Sequence, residues 1–337
     1  MYSSSAAVRG AVKTGAALVG AMLLLTGCSD SEEPGRPEAG ATQQPKAKDP
    51  YWVNPGSNAA EQLRTYESDG KDADAALIKK IAEQPTGEWI VPEQAEEQAR
   101  DFTEAAEAAD REAVLVLYNI PHRDCGQFSK GGASDGDAYR AFIDEVAEGI
   151  GDRQATVILE PDAVLHLVDG CTPQEFHEER YALLSGAIDT LHTLKNTKVY
   201  LDGGNPGAGS PDSFWDPLKR AGIDKADGFA VNVSNFYPTE ESIAYGKELS
   251  EKVGNKPFVI DTSRNGNGTY QADEPDLWCN PPGRALGEIP SVQTADERVD
   301  AYLWIKRPGE SDGECRGGPK AGEWWPEYAL ELARNAK

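Results

Sequence analysis

Seven residues, TVILEPD (156–162), carry an apolar, largely β-branched run into two carboxylates, Glu160 and Asp162, set around a proline. Other runs of the same type end in similar chemistry. AVLVLY ends in Tyr118 and leads to NIPHRDC, with Arg123 and Asp124; KVYLD ends in Asp202; GFAVNV contains Asn232; PFVID ends in Asp261. AYLWIK ends in Lys306 and is followed by RPGESDG, with Glu310 and Asp312, and EWIV contains Trp89. Two close carboxyls cannot both ionise easily, so one keeps a proton near neutral pH and can serve as an acid while the other stays charged. Carboxylates at or just after five of the seven ends, with Arg, Lys, Asn and Trp beside them, describe a single acidic cleft.

The runs must be held so that these ends converge. They lie at 88–91, 113–118, 156–160, 198–202, 228–233, 257–261 and 301–306, and they are apolar without strict alternation, as suits strands covered on both faces. Helical stretches separate them. One begins at Pro92, and DAYRAFIDEVAEGIG places Tyr139, Phe142, Ile143 and Val146 on one face. TPQEFHEERYALLSGAIDTLHTL is expected to open with Thr172 as cap and Pro173 at the first helical position, and TEESIAYGKELSEKV with Thr239 as cap. WWPEYALELARNA closes the chain as a last helix. Alternation on this scale implies an α/β fold with a parallel sheet and right-handed crossovers. In a seven-stranded barrel the C-terminal strand ends meet on one rim, where such folds place their chemistry.

The chain has 337 residues. Its start, MYSSSAAVRGAVKTG, is basic and free of acid; AALVGAMLLL is apolar, and LTGC ends at Cys28. This reads as an export signal over residues 1–27, too short for a membrane span of about 20 apolar residues. It resembles a bacterial lipoprotein signal, with Cys28 as the lipidated N-terminus and the outer face of the membrane as destination. Residues 28–49 contain no apolar run and read as a tether, leaving 50–337 as one catalytic domain. Removing Arg9 and Lys13 with the signal takes the formal net charge from −24 to −26, so a nucleic-acid partner is excluded by phosphate repulsion. Four cysteines beyond Cys28 favour two disulfides in an exported chain and allow three connectivities; Cys125–Cys171 and Cys279–Cys315 are the pairs expected. No C-x-x-C occurs, which argues against zinc; the expectation is a monomer with neither metal nor organic cofactor.

From about Tyr51 onward, VLYNIPHRDCG, VILEPDAV, YLDGGN, VNVSNF, IDTSRNGNG, LWCNPPGRALG and LWIKRPGESDG resemble, in order, the motifs of glycoside hydrolase family 6, the inverting cellulases. The resemblance is nearest to the bacterial endoglucanases and implies a distorted seven-stranded α/β barrel acting on β-1,4-glucan. It implies that Asp162 is the general acid and that Asp124 keeps that acid protonated and helps activate water. Asp312 becomes the base or charge stabiliser, and Asp202 a fourth aspartate of the cleft. Trp89 and Trp278 match sugar-stacking platforms; Lys306, Glu310 and Asn232 match residues gripping sugar hydroxyls; Tyr118 matches the tyrosine crowding the ring at the cleavage point. Arg123 and Arg264 are expected to fix cleft aspartates through charge-assisted hydrogen bonds. Gly204 and Asn205 stand where Ala and His are usual, with Asn205 a candidate hydroxyl contact. NPGAGSP lacks the tryptophan usually found there as the platform on the leaving-group side.

Blander roles suit other residues. Asp261 reads as a buried structural partner, Trp304, Trp324 and Trp325 as core, and His166, His177 and His192 as surface or packing residues on helices. Two functions follow: a surface-tethered, inverting endo-β-1,4-glucanase, or a glycan-binding lipoprotein whose barrel has lost catalysis.

Overall fold

Residues Ala113–Leu117 and Ala155–Leu159 are buried along their whole length, because alternate side chains enter two different cores. Val114, Val116, Ile158, Tyr200, Ala230, Val259 and Ala301 fill the concave side of the sheet. Leu115, Leu117, Val157, Leu159, Val199 and Phe229 pack outward under the helices. The computed structural model, which describes residues 50–337, forms all seven expected strands. They are β1 (Glu88–Trp89), β2 (Ala113–Leu117), β3 (Ala155–Leu159), β4 (Thr197–Asp202), β5 (Gly228–Val231), β6 (Phe258–Asp261) and β7 (Val299–Leu303). The signal, the tether and Cys28 lie outside the described residues.

The strands pair in parallel and in sequence order, β1 to β7. No ladder joins β7 to β1 among the described residues, yet the sheet curls until the two edges meet. The Gly87 N–H donates to Trp304 O at 2.9 Å, and Trp89 Nε1 donates to Ile305 O at 3.0 Å. A Cβ on Gly87 would lie 2.7 Å from Ile305 O, so glycine is what permits this seam. The result is a distorted, incompletely laddered α/β barrel.

The helices are α1 (Asn58–Ser68), α2 (Asp72–Ala82), α3 (Ala95–Ala108), α4 (Gly136–Ile150), α5 (Leu165–Val168), α6 (His177–Leu191), α7 (Pro211–Arg220), α8 (Thr239–Lys252) and α9 (Pro326–Asn335). On α4, Tyr139, Phe142, Ile143 and Val146 are all buried, as the spacing predicts. Helices α1, α2 and α9 share a third core with Trp304, which is 1% exposed.

Two helix starts differ from expectation. Thr172 caps nothing: its N–H returns to His166 O at 2.8 Å, and Cys171 is bonded to Cys125, so residues 171–173 finish the preceding loop. Pro173 is extended, a single 3-10 turn follows (Gln174–Phe176), and α6 begins only at His177. Thr239 is the first residue of α8, not its cap, because its hydroxyl donates to Glu288 Oε2 at 2.6 Å. Both expected disulfides are present, with Cα–Cα distances of 6.0 and 6.3 Å. Each ties two loops at the C-terminal rim.

Candidate active site

The strand-end carboxylates divide into two sets. Asp124, Asp162, Glu310 and Asp312 line a rim cleft of about 730 Å³, together with Trp89, Tyr118, Asn205, Trp278 and Lys306. Glu160, Asp202 and Asp261 are buried beneath it, each accepting backbone N–H groups from a neighbouring loop. Glu160, at the end of β3, accepts from Asn119 N (2.9 Å) and Ile120 N (3.0 Å) in the loop after β2. Asp202, ending β4, accepts from Asp162 N at 3.0 Å in the loop after β3. Asp261, ending β6, accepts from Ser234 N at 2.9 Å and Lys306 N at 3.0 Å, on both sides. Adjacent rim loops are thus stapled by buried carboxyls that accept from backbone N–H groups.

The staples hold strained backbone. His122, Asp124, Cys125, Glu160, Asp162, Asn232 and Ser234 all have φ between 48° and 67°, left-handed conformations that cost roughly 1–3 kcal/mol each and persist only where the surroundings impose them. Arg180 of α6, 3% exposed, adds a second clamp: its guanidinium donates to Ala163 O at 3.2 Å and Pro121 O at 2.8 Å, joining the Asp124 and Asp162 loops.

This geometry corrects three expectations. Asp202, 1% exposed, is no member of the cleft wall; it lies under it and meets the Asp162 N–H. Asn232 is fully buried and offers nothing to a sugar: its Nδ2 donates to Asp261 O (2.8 Å) and Tyr237 O (3.3 Å), and its Oδ1 accepts from Tyr237 N (3.1 Å). Arg123 makes no hydrogen bond to an aspartate. It donates to the carbonyls of Ser129 (2.8 Å) and Tyr118 and lies 4.8 Å over the Tyr118 ring, bracing the loop through backbone oxygens. Arg264 does act on an aspartate: fully buried, it pairs with Asp312 at 2.9 Å and also donates to Ser234 O.

Burial pushes the Asp162 carboxyl up to about 6, with the negative neighbours Asp124 and Asp169 adding to the shift against the opposing effect of His166. Asp124 is likewise raised by burial, in spite of accepting from Ser129 N at 2.6 Å. Asp202 is raised well above the carboxylate range by burial and then by the Asp162 charge. Asp312 goes the other way. Burial alone would raise it, but Arg264 and Lys306, with Lys306 Nζ 3.6 Å away, outweigh burial and hold it low. The site therefore keeps one group disposed to hold a proton and another held as an anion, the division acid–base cleavage requires.

Burial raises Glu160 to about 7 from 4.5. Because the folded chain holds this proton more tightly than the unfolded one, its contribution to stability is fully present below about pH 4.5 and lost as pH rises through 7, about 3 kcal/mol in all. Glu160→Gln should lack that dependence in urea unfolding at pH 5 and pH 8. It should also lower kcat by about tenfold with little change in KM, since the amide NH2 in the place of Oε1 would face the Asn119 N–H donor to donor and loosen the Asp124 loop. A parallel decline in stability with pH in variant and wild type would contradict this.

Further cleft residues come from the short helix α5 and from rim loops. His166, read as a surface or packing residue, is 8% exposed, lines the cleft and places a ring nitrogen 3.3 Å from Asp169. It also lies beside the sulfurs of Cys125 and Cys171, which are bonded to each other and so are not a ligand pair. Phe128 meets Trp278 edge to face at 6.2 Å in the cleft lining, and Tyr237 and Tyr270 add two more rings. His166 adjoins Asp162 by one helical turn, the only hint available in sequence.

Residues 46–336 match the family model described as glycosyl hydrolases family 6. The chain belongs to that family. It is 43% identical over 297 residues to endoglucanase A of Cellulomonas fimi, covering 87% of this chain and 63% of the relative, so it spans less than two thirds of that protein. Endoglucanase 1 of Streptomyces halstedii is 38% identical, with 88% of this chain and 92% of the relative covered. The endoglucanase Cel6 from Mycobacterium tuberculosis, solved with a methyl-cellobiosyl-4-deoxy-4-thio-β-D-cellobioside, superposes with a TM-score of 0.80 at 42% identity, covering 87% of this chain and 99% of that one.

Proposed function

We propose that this family 6 member is an endo-acting β-1,4-glucanase that cleaves with inversion. The observation that carries the reading is the placement of its carboxyls. Asp124 after β2, Asp162 after β3 and Asp312 after β7, the last paired with the buried Arg264, all line one cleft. A glucan lying between them, stacked on Trp89, has its glycosidic oxygen offered to the protonated Asp162. As the bond breaks, positive charge develops on the sugar ring, and the Asp312 carboxylate stabilises it. Asp124, half-buried and raised in pKa, accepts the proton of the attacking water. Asp202 fixes the acid from below through the Asp162 N–H, and Lys306 and Glu310, which line the cleft, meet sugar hydroxyls.

Wild-type protein on carboxymethylcellulose should lower viscosity well ahead of reducing-sugar release, and cellohexaose should yield α-anomeric products first by NMR. Release without early loss of viscosity would mark a chain-end enzyme, and β-anomers would exclude inversion. Binding with no release would favour the glycan-binding alternative.

A further inference from the structure

Aromatic residues from well-separated strands line the groove. Trp89, in β1, sits at the seam where the barrel edges meet; halfway around the strand order, beyond β4 and β5, Tyr237 lines the same cleft. Its backbone is fixed by three buried polar side chains. Asn232 bonds both its N–H and its carbonyl, and Asn265 Nδ2 (3.1 Å) and Ser242 Oγ (3.4 Å) donate to that carbonyl. Its phenol packs on Gly207, where a Cβ would fall on the hydroxyl, and Ala208 beside it also faces the cleft. Segment 205–211 is where a leaving-side tryptophan would be expected and is missing. A half-buried ring whose main chain is held by buried amides is a prepared surface, and a phenol face suits the apolar C–H face of a pyranose.

We propose that Tyr237 is the sugar platform on the leaving-group side of the cleft, filling the place that Ala208 leaves without an aromatic ring, with Asn232 and Asn265 as its positioning residues. This rests on the glucanase reading above. Cellohexaose fills both halves of the groove, whereas 2,4-dinitrophenyl β-cellobioside carries no sugar on the leaving side. In the full chain, Tyr237→Ala should cost at least about tenfold more kcat/KM on cellohexaose than on the aryl cellobioside. Tyr237→Phe, which keeps the ring, should hold the ratio of the two substrates within about threefold of wild type. An unmoved ratio in Tyr237→Ala, or a fall in Tyr237→Phe equal to that in alanine, overturns the proposal. If wild type cleaves neither substrate, the glucanase reading fails and calorimetric affinity for cellohexaose decides: about tenfold weakening in Tyr237→Ala supports the platform, and equal affinity rejects it.

Discussion

Asp162→Ala is expected to lower kcat on soluble β-1,4-glucan by about 10²- to 10⁴-fold, the range lost with a general acid. The loss should be much smaller on 2,4-dinitrophenyl β-cellobioside, whose leaving group needs no proton. Equal losses on the two substrates would remove Asp162 from the acid role. The pH profile provides a second check. The acid must be protonated, and its carboxyl is pushed up to about 6, so wild-type kcat/KM should hold below that pH and fall as pH rises through it. Asp124 contributes a raising negative charge, so Asp124→Asn should lower the Asp162 pKa and move the alkaline limb toward acid. A limb displaced toward alkali would rule out that coupling.

Arg264→Met should cost about 3–5 kcal/mol of stability, because it leaves Asp312 buried without its main counter-charge. Arg264 is fully buried, and its two anchors, Asp312 Oδ2 and Ser234 O, belong to the loops after β7 and β5. The variant should also let the Asp312 carboxyl rise, since the Arg264 charge is the largest influence holding it low against burial. Urea unfolding measures the first effect, and the double variant with Asp312→Asn measures the coupling. A loss below about 1 kcal/mol would mean that Lys306 alone compensates the anion.

The barrel was legible in the sequence for a specific reason. Runs such as AVLVL and ATVIL are apolar on both faces, and only a sheet covered on both sides accommodates them. The α4 stripe was equally readable, since Tyr139, Phe142, Ile143 and Val146 recur at helical spacing. Helices α1 and α2 carried weaker signals, being short and charged, and their burial depends on Trp304 and α9 far along the chain.

Within the site, the sequence alone determined that carboxylates gather at one rim, because parallel strands with right-handed crossovers leave their C-terminal ends no other common edge. It could not determine which carboxylates face the cleft. Glu160 and Asp162 are two residues apart, yet one is wholly buried and the other reaches the cleft. The choice lies in left-handed turns at Glu160 and Asp162 and in the nearest unpaired N–H, supplied by a loop some 40 residues away. Residue type fixes what a side chain can donate or accept; only the packed neighbours decide whether that capacity is spent on backbone or kept for substrate.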